Sequence, residues 1–418
     1  MGRLGAARAW VGARHSLPRE VYVLGLVAFC VAVGFGVLVP VLPVFARSFG
    51  VGNAEVGAVI SAFALMRLIS SPLCGWLIKV FSERIIMATG IFIVAISSGL
   101  AGVSNSYLQL LTLRGVGGIG SAMFTVSAFT LLLTSVEAGL RGRAAGFFQA
   151  GFLIGGITGP AIGGVLSAIS LTAPFFFYAG TLVVAGTVGL VLLHSRSAKP
   201  GDESAAAPVL FRAVVRDARY QAACFSNLAQ GWTSFGVRSS LVPVLVVELL
   251  NRPASWTGIA FAIAAVAQTV AVGPAGRFTD TVGRRPAMIL GGIVGAISIM
   301  AVPFAPNIWL LTVVLSLYGV ASAFLGTAPA AAVGDAAGSR SGTAVAVFSM
   351  CSDIGAIIGP LVAGLLADTL SYPAAFGVGA ALMLVAAALS WRMPRSQAAP
   401  SKGNTGDSGD MHESASIE

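Results

Sequence analysis

Long apolar runs alternate with short polar connectors along the whole chain. Twelve such runs fall near residues 21–45, 56–78, 85–103, 107–134, 143–168, 172–194, 220–247, 255–276, 286–304, 308–333, 343–367 and 372–391. A helix needs roughly 20 apolar residues to cross the hydrocarbon core of a bilayer, and each run is about that long. The pattern predicts an all-α integral membrane protein of twelve transmembrane helices. The polar stretches divide it into a basic N-terminal tail (1–20), a six-helix half (21–194), a central linker (195–219), a second six-helix half (220–392) and a C-terminal tail (393–418).

The two halves repeat one another. Gly155 to Gly164 and Gly355 to Gly364 both carry glycines around a proline inside an apolar run, with Gly155, Gly159, Pro160, Gly163 and Gly164 answered by Gly355, Gly359, Pro360 and Gly364. Small residues on one helix face let a neighbouring backbone approach closely, and the proline bends the helix. Further matches sit at an offset near 200. Val37 to Pro43 resembles Ser240 to Val246, Arg67 falls on Gln268, and Leu113 to Val116 matches Leu317 to Val320, which puts Arg114 on Tyr318. Parallel repeats of this kind predict a cavity between two six-helix halves related by a pseudo-two-fold axis.

Composition supports the membrane reading, with 56% hydrophobic and only 10% charged residues over 418 positions. The net charge of +9 invites a nucleic-acid partner until the charges are located. Of the 25 Lys and Arg, only Arg47 and Arg252 fall in outer loops and Arg67, Arg114 and Arg238 within spans, if both tails are cytoplasmic. The rest lie inside, as the positive-inside rule requires, so basicity reports orientation and no nucleic acid is expected. Both termini are expected to be cytoplasmic.

Cys30, Cys74, Cys224 and Cys351 lie in or beside spans without a paired spacing, and His15, His194 and His412 lie in polar flanks. No metal site or disulfide framework is expected. Gly115, Gly117 and Gly120 fit a nucleotide-binding glycine pattern, but that pattern needs a preceding strand, and here it sits inside one apolar run. Neither an enzyme nor a cofactor is expected.

Several motifs together resemble the major facilitator superfamily, and within it the twelve-span drug:proton antiporter group, over roughly residues 20–392. Gly276, Asp280, Gly283, Arg284 and Arg285 are similar to the family's cytoplasmic loop signature, Arg114 to Ala122 to its fourth-span motif, and Gly155 to Gly164 to its antiporter motif in the fifth span. The resemblance implies a secondary transporter with small-molecule substrates and protons as partners, lodged in the bilayer and acting as a monomer. The loop signature is expected to latch one closure against the opposite half. In the first half the corresponding residues are Gly75, Lys79, Ser82, Glu83 and Arg84, so the acid has become Lys79 and the first basic residue Glu83. Either the pair survives with reversed polarity or this loop does ordinary topological work.

Charges inside spans are costly unless paired or facing water, so each is a candidate for function. Arg114 stands where the resemblance places a residue linked to proton coupling; its alternative is to tie helix backbones together. Asp353 is the embedded carboxylate, about 10 residues or roughly 15 Å into the eleventh run. Desolvation would raise its pKa into a range useful for proton exchange; otherwise it is a packed anchor. Arg238 has no symmetric partner, falling on Phe35, and would attract an anionic group or hold Asp353 ionised. Arg67 reads as a helix-packing residue. Trp232 and Tyr318 would suit either an amphipathic ligand or the core. The expected function is proton-coupled efflux of lipophilic or amphipathic molecules by alternating access. A proton symporter or facilitator for a metabolite, and a non-transporting sensor, remain as other readings.

Overall fold

A computed structural model describes residues 17–137, 140–193, 211–337 and 342–394. The N-terminal tail before residue 17, most of the central linker and the C-terminal tail from residue 395 lie outside the described residues, as do the side chains of Lys79 and Arg141.

The first span is Arg19–Leu38, followed after a turn by Leu42–Arg47. The second to sixth are Asn53–Val80, Glu83–Ala101, Tyr107–Thr134, Arg141–Ile169 and Ala173–Leu192. The seventh is composite: Ala218–Gly231, a π-helical stretch Trp232–Ser239, then Ser240–Glu248. The eighth to twelfth are Ala254–Thr281, Arg284–Ala301, Ile308–Ala337, Gly342–Thr369 and Tyr372–Ser390. Eleven of these are unbroken helices long and apolar enough to cross a membrane. The seventh completes twelve but is interrupted where its turns widen, a feature the apolar pattern cannot register. Helices so hydrophobic on every side are stable only with lipid around them, and outward-facing side chains such as Val270, Val191 and Ile96 fit that surround.

Each half has its own apolar core. One gathers Leu24, Met87, Ile91, Leu110, Leu131, Phe175 and Leu182; the other gathers Leu241, Phe261, Leu311, Leu315, Tyr318, Phe376 and Met383. The glycines of the fifth span lie on the first: a Cβ on Gly155 would stand 2.6 Å from Ala32 Cβ, and one on Gly159 2.6 Å from Val33 O. The eleventh span meets the seventh in the same way, Gly355 against Leu228 O and Trp232 N, and Gly359 against Trp232 and Gly236. Close approach of backbones, with no room for a methyl, is why glycine stands there. The last glycine of each run crosses to the other half, Gly164 to Ser255 and Gly258, Gly364 to Asn53 and Ala54.

These contacts fix the repeat register more firmly than motif matching does. Gly118 packs on Phe63 O as Gly319 packs on Ala264 O, and Gly90 meets Gly120 as Gly291 meets Ala321, so the fourth and tenth spans correspond at an offset of 201. Arg114 therefore falls on Leu315, not on Tyr318 as the motif match suggested. In the seventh span the register slides. Val33 and Trp232 play one role 199 positions apart, Gly36 and Gly236 another 200 apart, and the prolines Pro40 and Pro243 stand 203 apart. Arg238 sits inside the slide, and Phe35 matches Phe235 instead.

The halves are bound to each other along one face. Arg47 Nε donates to Glu248 Oε1 at 2.7 Å, and Glu248 pushes the Arg47 pKa up through that bond. Asp368 accepts from Asn53 N at 3.0 Å, from Asn53 Nδ2 at 2.7 Å and from Ala54 N at 2.8 Å. Ser61 Oγ donates to Ile357 O at 2.6 Å, and Arg67 pairs with Asp353. The second and eleventh spans thus form a seam of roughly 21 Å, counting 1.5 Å per residue from Asn53 to Arg67. Toward the opposite face the glycines at positions 75, 146, 273, 276 and 334 have no neighbouring atom within 4 Å of an added Cβ. The bundle is closed at the seam face and parted at the face that carries the loop signatures.

Candidate transport cavity

Between the halves lies a cavity of about 420 Å³, within the range of small-molecule sites. The first, second, fourth, fifth and sixth spans supply one side of its wall, the seventh and eleventh the other. Its surface is largely aromatic and aliphatic, with Phe35, Phe63, Phe124, Phe152 and Phe235 prominent, and its charged groups are Arg67, Arg114 and Arg238.

Arg114 is brought there by the glycines that follow it. Gly118 lets the fourth span press on the second at Phe63 and Met66, and Gly120 lets it press on the third at Gly90. The guanidinium is then 4% exposed and lies 4.5 Å above the Phe63 ring. The same glycines explain the nucleotide-like spacing as helix contact. Arg238 stands in the π-helical stretch, where Ser239 Oγ donates five residues back to Ser234 O at 2.8 Å. Its guanidinium is 5.0 Å from the Phe261 ring and 5.9 Å from that of Tyr318. π-Helical turns concentrate at functional sites because they re-aim side chains that an α-helix would point elsewhere.

Neither arginine forms an ion pair among the described residues, and the Nε of each has no hydrogen-bond partner. A cation over a ring gains about 0.5–2 kcal/mol, whereas removing an ion from water costs several kcal/mol. The aromatic faces do not offset the desolvation. Arg114, the more deeply buried of the two, is held in the wall at a net cost.

Asp353 meets Arg67, not Arg238. The expected environment of a carboxylate desolvated alone is thereby corrected: a guanidinium of the opposite half faces it, and both side chains keep partial access to solvent, 34% for Arg67 and 27% for Asp353. Arg67, expected to be a packing residue, is a cavity-wall cation and one end of an inter-half bridge. Its repeat mate is Gln268, and that of Asp353 is Leu153, so the fifth and eighth spans, which meet at Gly164 and Gly258, have no counterpart of this ion pair.

Trp232 and Tyr318 lie in the second core, not in the cavity wall. Tyr318 is fully buried, its hydroxyl 2.9 Å from Thr233 Oγ1 and 3.1 Å from Ser234 Oγ. It supports the π-helical stretch from behind. Tyr178, which the sequence did not single out, does line the cavity. Its position in the sixth span carried no signal, because a tyrosine in an apolar run reads as core.

The loop signature turns on its second glycine. Gly283 has φ +120°, a conformation open to glycine and costly for other residues. In the first half Ser82 occupies this place with φ −69°, so that loop turns by another route. Arg284 Nε stands 2.9 Å from Asp335 Oδ2 in contact geometry without a proper hydrogen bond, and Arg284 Nη1 stands 3.7 Å from Asp280. Arg285 donates to Met393 O at 3.2 Å, and Arg84 donates to Leu193 O at 3.1 Å. In both halves the second basic residue thus holds the C-terminal end of the last span, where a helix favours cations. The contacts of Arg284, Arg285 and Arg84 lie within their own halves, on the face that is parted in this structure. Glu83 is buried at the start of the third span.

The comparisons with known proteins agree with this architecture. The Major Facilitator Superfamily model matches residues 24–253 and again 223–412, two overlapping matches that together cover both halves. Multidrug resistance protein 1 of Bacillus subtilis is 26% identical over 392 residues, 88% of this chain and 94% of that protein. The quinolone resistance protein NorA of Staphylococcus aureus is 27% identical over 178 residues, 43% of this chain and 46% of that protein. Among solved structures, a bacterial homologue of the human lysosomal transporter Spinster superposes with a TM-score of 0.71 at 16% identity, covering 91% of this chain and 96% of that one. The nucleoside transporter NupG gives 0.72 at 16% identity, covering 89% and 99%. Matches at that identity speak for the fold. Twelve spans in two repeated halves, a cavity between them and the family model over both halves make the chain an integral membrane protein that belongs to the major facilitator superfamily.

Proposed function

We propose that this chain is a proton-coupled exporter of lipophilic or amphipathic small molecules, working as a monomer in a bacterial plasma membrane by alternating access. The observation that carries the reading is the Arg67–Asp353 pair, because it joins a titratable carboxylate, the wall of the cavity and the seam between the halves. The concentration of basic residues on the loop-signature face supports a cytoplasmic assignment for that face. The seam is then the outer closure, and the cavity is open to the cytoplasm.

In that orientation the pair strengthens the closed seam only while Asp353 is ionised. In the outward-open form the pair is parted and Asp353 takes up a proton from outside; the protonated carrier, with one of the two charges removed, is free to turn inward. Release of the proton to the cytoplasm restores the pair and resets the carrier facing inward. A ligand entering from the cytoplasm and drawing Arg67 toward the cavity weakens the same pair, which drives the loaded carrier outward. One bridge thus answers to both the proton and the cargo. The names of the multidrug and quinolone resistance relatives support export as the direction.

The test is transport of a lipophilic dye in proteoliposomes with an imposed pH gradient. Asp353→Asn is expected to abolish gradient-driven accumulation while exchange of dye across the membrane without a gradient persists. Undiminished gradient-driven transport by that variant would remove Asp353 as the proton carrier.

A further inference from the structure

We infer that the cargo is a lipophilic organic anion, a molecule with one acidic head group on an apolar body, held by Arg114 from one half and Arg238 from the other. The inference rests on the cavity being the transport site, and it goes on to specify what that site selects.

Three observations converge on it. The cavity wall carries three guanidinium groups and no Asp or Glu among its lining residues. One of the three, Arg67, is neutralised by Asp353, which leaves Arg114 and Arg238 as uncompensated positive charges. Arg114 is more than nine-tenths buried, and the Nε of both has no partner. A guanidinium in a cavity wall with no acidic side chain to answer it is a site for an anion, since a carboxylate, sulfonate or phosphate would take up its unpartnered Nε–H in a charge-assisted bond. The remaining wall is Phe35, Phe63, Phe124, Phe152 and Phe235 with aliphatic neighbours, which suits an apolar body and disfavours a small hydrated anion. A lipophilic cation would meet the opposite: two like charges and no acid to answer its own.

The geometry also says how such a cargo engages the coupling device. An acidic head group between Arg114 and Arg238 shares the cavity with Arg67, so it competes with Asp353 for that guanidinium. A neutral lipophile would fill the same space without disturbing the pair. Anions are therefore carried with strict coupling to the proton, and neutral molecules of the same body are bound loosely and coupled poorly.

The experiment uses the full chain in lipid nanodiscs and three fluorescent ligands with one ring system, pyrenebutyrate, pyrenebutanol and pyrenebutylammonium. Binding is read as displacement-corrected fluorescence against empty nanodiscs. Pyrenebutyrate is expected to bind about 10- to 100-fold more tightly than the alcohol, with the ammonium weakest. Arg114→Gln and Arg238→Gln should each remove most of that preference, weakening the butyrate far more than they alter the alcohol, and Arg114→Lys and Arg238→Lys should keep a substantial part of it. Equal affinities for the three, a preference for the ammonium, no binding of any of them, or an anion preference unchanged in both Gln variants would each overturn the inference. Gradient-driven flux of the three in proteoliposomes separates it from the wider reading. Transport of the ammonium or the alcohol in preference to the butyrate would keep the exporter and discard the anion. Anion binding without gradient-driven flux would keep the anion and discard the exporter.

Discussion

Asn53 gives both its backbone N–H and its side-chain amide to a single oxygen of Asp368, although the two residues are 315 positions apart and belong to opposite halves. The second span has no capping side chain of its own, since Gly52 precedes it. Its free N–H groups are answered instead by a carboxylate at the end of the eleventh span, which the helix dipole also favours. The closure at the seam face is therefore a helix cap made in trans.

Asp368→Asn should weaken that closure more than Glu248→Gln. Hydrogen bonds to a charged group contribute about 1.5–3 kcal/mol, and Asp368 accepts three of them. The Arg47–Glu248 pair is partly exposed, 31% and 37%, and pairs of that kind give about 0–1 kcal/mol. Accessibility of a cysteine introduced just inside the seam face should rise in the Asp368 variant and change little in the Glu248 variant. The reverse ranking would show that the salt bridge, and not the cap, governs the closure.

Arg67→Gln and Asp353→Asn should not add. If the two side chains act only through each other, the double variant will resemble either single one, with a coupling energy of about 0.5–3 kcal/mol in the equilibrium between access states. Distance measurements across the loop-signature face supply that equilibrium. Additive shifts would mean that each residue acts through some other partner.

Gly159→Ala should destabilise the protein and Gly180→Ala should not. A methyl at Gly159 would stand 2.6 Å from Val33 O and 2.7 Å from Gly36 Cα, backbone atoms that cannot step aside, while nothing lies within 4 Å at Gly180. Overpacking of this kind costs about 1–3 kcal/mol, and alanine in an open helical position gains about 0.5–1 kcal/mol over glycine. Thermal denaturation in detergent is the measurement, and equal tolerance at both sites would contradict the close contact between the first and fifth spans.

Asp335→Asn should lower stability more than Asp280→Asn. Arg284 lies 2.9 Å from Asp335 but 3.7 Å from Asp280, whose side chain is 73% exposed. The loss should appear as a lower unfolding temperature with the inward–outward balance little changed, because the contact lies within one half. A shift in access state without loss of stability would restore the latch to this loop.

The spans, the two halves and the glycine faces were legible because each is a local property of sequence: run length, repetition, small residues at helical spacing. Arg114 and Arg238 stood out for the same reason, as charges amid apolar neighbours. Relationships across the halves were not legible. Asp353 could be assigned to Arg238 as plausibly as to Arg67, since pairing depends on which spans form the seam. Trp232 and Tyr318 were ambiguous because an aromatic ring looks alike in a core and in a cavity wall, and Tyr178 was missed through the same ambiguity. Asp335 looked like any acid at a helix end, and only its distance to Arg284 gives it a role.

The widened turns of the seventh span bear on how cargo must be oriented. Had the two halves been exact copies, every feature of the cavity would occur twice, and a one-headed molecule could sit in either of two equivalent poses. The π-helical stretch adds to the asymmetry that Arg114 already sets against Leu315, by placing Arg238 where the first span has no counterpart. The space between the halves consequently has a direction, and a cargo is received in one pose and presented the same way round each time the carrier turns over.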